Sequence, residues 1–318
     1  MRNRTICVAI FWLIVMLFVS QVNAAENIIF ELVAKQQTIK VGEPLTIDVV
    51  FSVPESHISE LPESYDYDLE FFYVEKEGVL IGKVPSFFDK FKLNNSQDRQ
   101  YKATAVLFYD WLERKLLFEV PSNYSVRFGD LSTILTVNVE KPSNVEELAL
   151  SLISDPNDYF FLGFGSRVHG EKHSETILHL EEVVRRCPET VLAKWCEARL
   201  GLEYFKDFEK KHRSIMRFRS AKTQGQIQEP LFDKAHLYLT KGAALPDDFP
   251  IREEVLLQLG VAEFINNDLI KANSILDELA TKYPNSEYGK QAVKAKAELQ
   301  EIQHRESVQP KDPNHAED

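Results

Sequence analysis

Apolar and polar residues alternate along the first part of the chain, and the spacing becomes helical in the second part. In the segment LTIDVVFSV, the apolar side chains of Leu45, Ile47 and Val49 occupy every second position, which is typical of a half-buried strand. Turn-forming residues such as Glu77-Gly78 separate the apolar runs. The pattern predicts seven strands, at residues 28–33, 45–53, 69–74, 79–83, 103–109, 115–120 and 134–140.

Short strands joined by short turns favour an antiparallel β-sandwich over residues 25–141, because each sheet can then bury one face against the other. The first strands are joined by the sequence VGEPL. This opening resembles that of immunoglobulin-like domains in exported bacterial proteins. The resemblance implies an immunoglobulin-like sandwich.

The pattern changes at Lys141-Pro142. Ser143 followed by Glu146 is a capping-box sequence, which marks the start of a helix. From there apolar residues recur at helical spacing, and we expect an all-α domain over residues 142–303. The last residues, 304–318, have no such periodicity and are predicted to be a disordered tail.

A proline interrupts the helical pattern at three similar places. Pro284 can start a helix but cannot continue one, since it lacks an N–H and its ring clashes with the preceding turn. The pattern around Pro284 recurs 96 residues earlier at Pro188, and in a shorter form at Pro246. Leu200-Gly201 lies upstream of Pro246, and Leu259-Gly260 lies upstream of Pro284. The small glycines permit close contact between helices. The spacing predicts stacked helix hairpins.

These motifs resemble the tetratricopeptide repeat family. In the last copy Glu263 replaces the family's usual tyrosine, and the segment YPNSEYGKQA is most similar to repeats of bacterial envelope proteins, such as outer-membrane assembly lipoproteins and the Tol–Pal coordinator. The resemblance covers about residues 159–303 and implies an α-helical solenoid that binds a protein partner. The family's spacing is met by Leu259-Gly260, Ala272, Leu276, Leu279 and Pro284.

The N-terminus has the three-part layout of a secretory signal peptide. Arg2 and Arg4 precede an apolar run at residues 6–19, and Val22-Asn23-Ala24 is a small-residue cleavage site. We therefore predict a signal peptide over residues 1–24 and a periplasmic or secreted protein. Cys7 lies too early for a lipoprotein cleavage site, so no lipid anchor is expected.

Charge excludes one class of partner. Removal of the signal would leave 35 basic and 49 acidic residues, a net charge near −14. Nucleic-acid binding draws on a basic surface, so nucleic acid is not an expected partner.

One segment departs from this acidity. Residues 206–222 carry seven Lys or Arg side chains against two carboxylates, with aromatic residues between them. The segment is either a helix that covers the solenoid with a solvated cationic side, or a docking surface for an acidic protein or an anionic envelope surface. The candidate partner-binding residues are Lys210, Lys211, Arg213, Arg217 and Arg219.

No catalytic, cofactor or metal site is predicted. His169, His173 and His179 lie close in sequence but do not form a metal pattern, and His179 is expected to pack partly in the core. Cys187 and Cys196 are expected to be buried thiols, with a disulfide as the alternative.

The expected function is that of a protein-binding adaptor or scaffold of the cell envelope. Two alternatives remain: carbohydrate or peptidoglycan recognition by the sandwich, and an enzyme with its site between the domains. The sequence does not define an oligomeric state.

Overall fold

The computed structural model describes residues 29–52, 71–85, 100–110, 112–129, 133–165, 171–218, 229–284 and 286–308. The chain divides into two compact units, Met1–Pro142 and Ser143–Asp318. Strands form the first and helices the second, which confirms the predicted order of a β-rich region followed by an α-helical one. The predicted signal peptide lies outside the described residues. Within them, no helix is long and apolar enough to cross a membrane.

Ten strands lie among the described residues of the first unit. The sequence pattern did not predict β2 and β9. The strand predicted at residues 115–120 comprises only two residues in the structure. The strands are β1 (Ile29–Ala34), β2 (Thr38–Lys40), β3 (Leu45–Ser52), β4 (Phe71–Lys76), β5 (Val79–Pro85), β6 (Gln100–Leu107), β7 (Tyr109–Asp110), β8 (Lys115–Leu116), β9 (Ser122–Phe128) and β10 (Ile134–Glu140).

The strands form three sheets. Their orders are β1-β3-β6, β2-β10-β9-β4-β5 and the short pair β7-β8. Neighbouring strands are antiparallel except β2 and β10, which pair in parallel.

The two larger sheets contribute to one hydrophobic core. Ile47 and Val49 of β3 are fully buried, in agreement with the alternation in the sequence, and they belong to the same cluster as Phe72 of β4 and Val126 of β9. The alternating positions thus direct one face of each sheet towards shared apolar contacts.

Eight helices lie among the described residues of the second unit. They are α1 (Asn144–Leu152), α2 (Pro156–Phe164), α3 (Glu171–Arg186), α4 (Val191–Phe218), α5 (Pro230–Ala243), α6 (Arg252–Ile265), α7 (Leu269–Lys282) and α8 (Glu287–Val308). The last helix extends into the segment predicted as a tail, of which residues 309–318 lie outside the described part.

The first of these helices begins where the sequence predicted. The Oε2 atom of Glu146 accepts a hydrogen bond from the backbone N–H of Ser143 at 2.7 Å. The same oxygen also accepts from the Ser143 hydroxyl at 2.7 Å, and the Ser143 side chain accepts from the backbone N–H of Glu146, which completes the predicted capping box. Glu146 therefore reaches back over the first turn as predicted.

The turns before α4 and α8 are built alike. The last residues of α3 and α7 are 96 positions apart, and the first residues of α4 and α8 are also 96 positions apart. In the first turn the Thr190 hydroxyl donates to the Cys187 carbonyl at 2.8 Å and accepts from the Ala193 N–H at 3.1 Å. In the second the Ser286 hydroxyl makes the corresponding bonds, at 3.1 Å and 2.9 Å. The sequence repeat is therefore also a repeat of turn geometry.

The helices pack on their neighbours in sequence and on the next helix but one. α4 contacts α3 and α5, and it also contacts α6, while α6 in turn contacts α8. A Cβ at Gly201 would lie 2.8 Å from the Leu239 nitrogen of α5, and one at Gly260 would lie 2.8 Å from the Leu276 side chain of α7. The two predicted small residues therefore stand where the paired helices approach most closely.

Gly201→Ala is expected to destabilise the helical unit by about 1–3 kcal/mol, because the new methyl would overlap backbone that cannot move aside easily. Gly163→Ala in α2 is the matched control, since its Cβ would meet no atom within 4 Å. That control should be neutral or more stable by up to about 1 kcal/mol through helix propensity alone. Urea unfolding followed by circular dichroism measures both, and equal effects of the two substitutions would contradict the close contact.

Candidate functional site

The middle of the helical unit carries an unusual number of buried charged side chains, and α4 is their centre. Arg199 and Glu203 lie on α4 itself, Asp158 lies on α2 and Glu263 on α6, each less than a tenth exposed. Charged groups at this depth need specific partners.

Residues 206–218 of the basic segment predicted as a docking surface form the last turns of α4. Lys210 and Lys211 are exposed, and the Lys211 Nζ lies 2.7 Å from Glu229 Oε1. Arg213 and Arg217 are on the helix, although their side chains lie outside the described part of the structure, as does all of Arg219. The docking role of these five residues stays a prediction.

A kink lies within this segment, at His212. His212 has the non-helical angles φ −110° and ψ 15°. Just before it, Phe208 is buried, with its ring centroid 5.0 Å from that of Phe232 on α5. The apolar side of the segment is thus attached to the helical unit up to the kink, and its lysines face solvent.

A cluster of tyrosines and lysines covers the contact of α4 with α3 and α5. The Tyr204 hydroxyl donates to Glu181 Oε1 of α3 at 2.7 Å, and Lys234 Nζ of α5 donates to the same oxygen at 2.9 Å. The Tyr204 ring stacks on Tyr238 with centroids 5.9 Å apart, and Lys241 Nζ lies 5.6 Å from the Tyr238 centroid. One carboxylate thereby joins three helices.

The ionisation of this cluster follows from its burial and contacts. Burial and the adjacent Glu181 raise the pKa of Tyr204, which stays a neutral donor. Burial alone would raise the pKa of Glu181, but the hydrogen bonds from Tyr204 and Lys234 outweigh it and lower that pKa. Glu181 is therefore held as a carboxylate.

The position of α6 that is equivalent to Tyr204 of α4 is occupied by an acid, Glu263. Glu263 lies three residues after Gly260, as Tyr204 lies three residues after Gly201. Its Oε1 is 2.9 Å from His236 Nε2 of α5 and 3.0 Å from Lys271 Nζ of α7. Where α4 has a tyrosine that bonds to an acid, α6 has an acid that lies against a histidine.

His179 forms a pair of the same kind rather than packing in the core as expected. Its side chain is 44% exposed, and its Nδ1 lies 2.8 Å from Oδ2 of the buried Asp158. Burial raises the pKa of Asp158, although the hydrogen bond with His179 opposes this shift. The core-packing prediction for His179 is therefore corrected to an ion-pair or hydrogen-bond partner.

His173 meets two carboxylates of α4. Its Nε2 lies 3.5 Å from Glu203 Oε1, and ligand atoms of His173, Glu203 and Asp207 all lie within 4.8 Å of one another. In the sequence, His173 stands close to His169 and His179 instead. The i, i+4 spacing of Glu203 and Asp207, which places both on one face of α4, was the signal that it did not use.

Both described cysteines are free and buried, as the sequence predicted. Burial raises the pKa of the Cys196 thiol well above its ordinary value, and it also raises that of Cys187. A thiol of raised pKa holds little of the reactive thiolate at neutral pH. These two residues contribute to packing.

Two buried arginines act on backbone and carboxylates within the helical unit. Arg199 donates from Nε to the Leu162 carbonyl at 2.9 Å and from Nη2 to the Gly163 carbonyl at 3.0 Å, near the C-terminus of α2. Arg252 donates to Glu278 Oε1 of α7 at 2.8 Å. Neither contact was predicted from the sequence, and both hold helices together.

No family model matches the sequence, and no curated protein matches it either.

Tyr204→Phe is expected to reduce the free energy of unfolding by about 1–3 kcal/mol at neutral pH, because it removes a hydrogen bond to a charged group. The lowered pKa of Glu181 means that its stabilising contribution is present above about pH 4.5 and is lost as the pH falls through the lowered value. The difference between wild type and Tyr204→Phe should therefore shrink in acid.

Tyr238→Phe provides the control, since the hydroxyl of this stacked tyrosine has no hydrogen-bond partner in the described part of the chain. Its effect should stay below about 0.5 kcal/mol at each pH. Denaturant unfolding at several pH values measures both variants. A loss for Tyr204→Phe that does not change with pH would contradict the role of Glu181.

Proposed function

We propose that the protein is an adaptor or scaffold of the bacterial cell envelope, which binds a protein partner through tetratricopeptide-like helical repeats. The observation that carries the proposal is the repeated turn, with the same side-chain hydrogen bonds before α4 and before α8. Repeats of this kind stack into extended surfaces that hold segments or domains of other proteins.

The contacts between alternate helices support a solenoid. α2, α4, α6 and α8 are the first helices of successive hairpins, and each contacts the next member of that series. In a stack of hairpins, such a series lines one side of the array and leaves it accessible to a partner. The series also contains α4, which carries Lys210, Lys211, Arg213 and Arg217 of the five predicted docking residues.

For the first unit we propose an immunoglobulin-like β-sandwich. The shared core of its two larger sheets is what this architecture requires. The buried Tyr124 adds support, because its hydroxyl donates to the Val120 carbonyl four residues upstream at 2.8 Å. A tyrosine that bonds back to nearby backbone is a recurrent feature of such sandwiches.

The carbohydrate-binding alternative receives less support from the described strands. Recognition of sugars by this unit would use exposed aromatic faces beside polar groups. Phe71 and Tyr73 on β4 are half-buried, Lys83 Nζ lies 3.9 Å from the Phe71 centroid, and the Arg127 guanidinium lies 4.4 Å from the Tyr73 centroid. Cations already occupy these two faces.

The proposed docking segment is tested by the double charge reversal Lys210→Glu/Arg213→Glu. In envelope extracts, the mature wild-type chain should retain a partner that this variant loses by about tenfold or more, because several attractive charges become repulsive. Retention by the wild type should also fall as salt increases, since exposed charges are screened. Quantitative mass spectrometry of the retained proteins measures both effects.

Lys290→Glu/Lys294→Glu is the matched control. Both of its lysines are exposed on α8, and the change in net charge is the same. This control should retain the partner. If both double variants retain the same proteins as the wild type, or lose them equally, the docking role of the basic segment is wrong.

The proposed location has a separate test. Expression of the full chain in a bacterial host should yield a periplasmic or secreted product that begins at Ala25, because residues 1–24 have the layout of a cleaved signal. Intact mass and N-terminal sequencing identify the product. A cytoplasmic chain that retains its first 24 residues would contradict the proposal.

A further inference from the structure

We propose that His173, Glu203 and Asp207 form a binding site for a divalent transition-metal ion of the Zn²⁺ class. His173 lies in the first turn of α3, and the two carboxylates lie one turn apart on α4. Their ligand atoms lie within 4.8 Å of one another, which is close enough for one ion to lie among them. We call this set the α3–α4 site.

The spacing of the histidine and Glu203 is that of two metal ligands rather than of a hydrogen bond. In the pairs of His179 with Asp158 and of His236 with Glu263 the imidazole nitrogen lies 2.8 Å and 2.9 Å from its carboxylate oxygen, and in the pair of His212 with Glu229 it lies 3.8 Å away. In the α3–α4 site the separation between Nε2 and Oε1 is 3.5 Å. Two ligands at about 2.0–2.1 Å from a tetrahedral ion lie about 3.3 Å apart.

The imidazole also has bonding capacity that no protein group uses. Its Nδ1 is shielded from solvent and has no hydrogen-bond partner within the described residues. The Nε2 contact is longer than a normal N–H···O hydrogen bond of about 2.7–3.2 Å. A partly buried ring with neither nitrogen in a normal hydrogen bond among the described residues is costly, and coordination of a cation by Nε2 would compensate for part of that cost.

Charge and ligand type select the ion. Two carboxylates and one neutral imidazole balance the charge of a divalent cation. An imidazole ligand favours Zn²⁺ and similar ions over Mg²⁺ and Ca²⁺, which prefer oxygen alone. Three protein ligands leave the fourth tetrahedral position to water.

The site is held by packing on both sides. The Phe161 ring of α2 lies edge-on to the imidazole of His173, with centroids 5.9 Å apart. Glu203 is 6% exposed and precedes Tyr204, which is fixed by its bond to Glu181. A bound ion would thus join the start of α3 to the middle of α4.

The test uses the mature chain without a histidine tag, freed of metal with a chelator. Titration calorimetry with Zn²⁺ should show one ion per chain with a dissociation constant in the micromolar range or tighter, and Zn²⁺ should raise the melting temperature. Substitution of Co²⁺ should give the visible absorption of a tetrahedral or five-coordinate site. Mg²⁺ at the same concentration should give neither effect.

His173→Gln and Asp207→Asn should each weaken Zn²⁺ binding by more than about tenfold. Asp207 is only partly buried, so that its variant keeps the test valid if His173→Gln folds poorly. The controls are His236→Gln, which removes a different carboxylate-paired histidine, and Asp233→Asn on the exposed side of α5. Both controls should bind Zn²⁺ within about twofold of the wild type.

Three results would overturn the proposal. The first is a wild-type chain that shows no heat of binding and no change in melting temperature with Zn²⁺. The second is unchanged affinity in Asp207→Asn. The third is an equal loss in His236→Gln, which would mean that Zn²⁺ binds at another histidine.

Discussion

The close contact of α4 with α5 at Gly201 is the constraint on which the centre of the helical unit depends. The position of a Cβ there would be 2.8 Å from the Leu239 nitrogen, so the two backbones approach as only glycine allows. This contact fixes how far α4 can slide along α5. It therefore sets Tyr204, one turn later, against Tyr238 and beneath Lys234. The polar cluster is a consequence of the register that the glycine permits.

The same logic explains a departure from the repeat pattern. At the position of Tyr204, the next hairpin has Glu263, and this acid is almost fully buried. An unpaired buried carboxylate would be strongly destabilising. The neighbouring helices compensate, because α5 supplies His236 and α7 supplies Lys271, where α3 supplies the acid Glu181 to Tyr204. Glu263 and its partners His236 and Lys271 therefore depend on one another, and their charges favour the packing of α6 against α5 and α7.

Much of the fold followed from local chemistry that a single sequence displays. Alternation identified β3 and β10, and Pro188 and Pro284 identified the turns because a proline acts on the backbone directly. β9 was missed since Pro121-Ser122-Asn123 has the composition of a turn, yet the strand begins at Ser122. The parallel pairing of β2 with β10 joins segments about a hundred residues apart, and no local pattern encodes such a partner.

The residues of the α3–α4 site show where sequence reasoning fails, and why. Proximity in the sequence suggested the set His169, His173 and His179, but His173 and His179 are six residues apart on one helix and face different neighbours. His179 meets Asp158 of α2, whereas His173 meets Glu203 of α4. A helix distributes nearby residues around its axis, so ligands gather from separate helices rather than from one segment.

The stronger signal was the pair Glu203 and Asp207, whose spacing places two oxygens on one face of α4. That pair lies only a few residues before Lys210 and Lys211, so α4 changes from acidic to basic within about two turns.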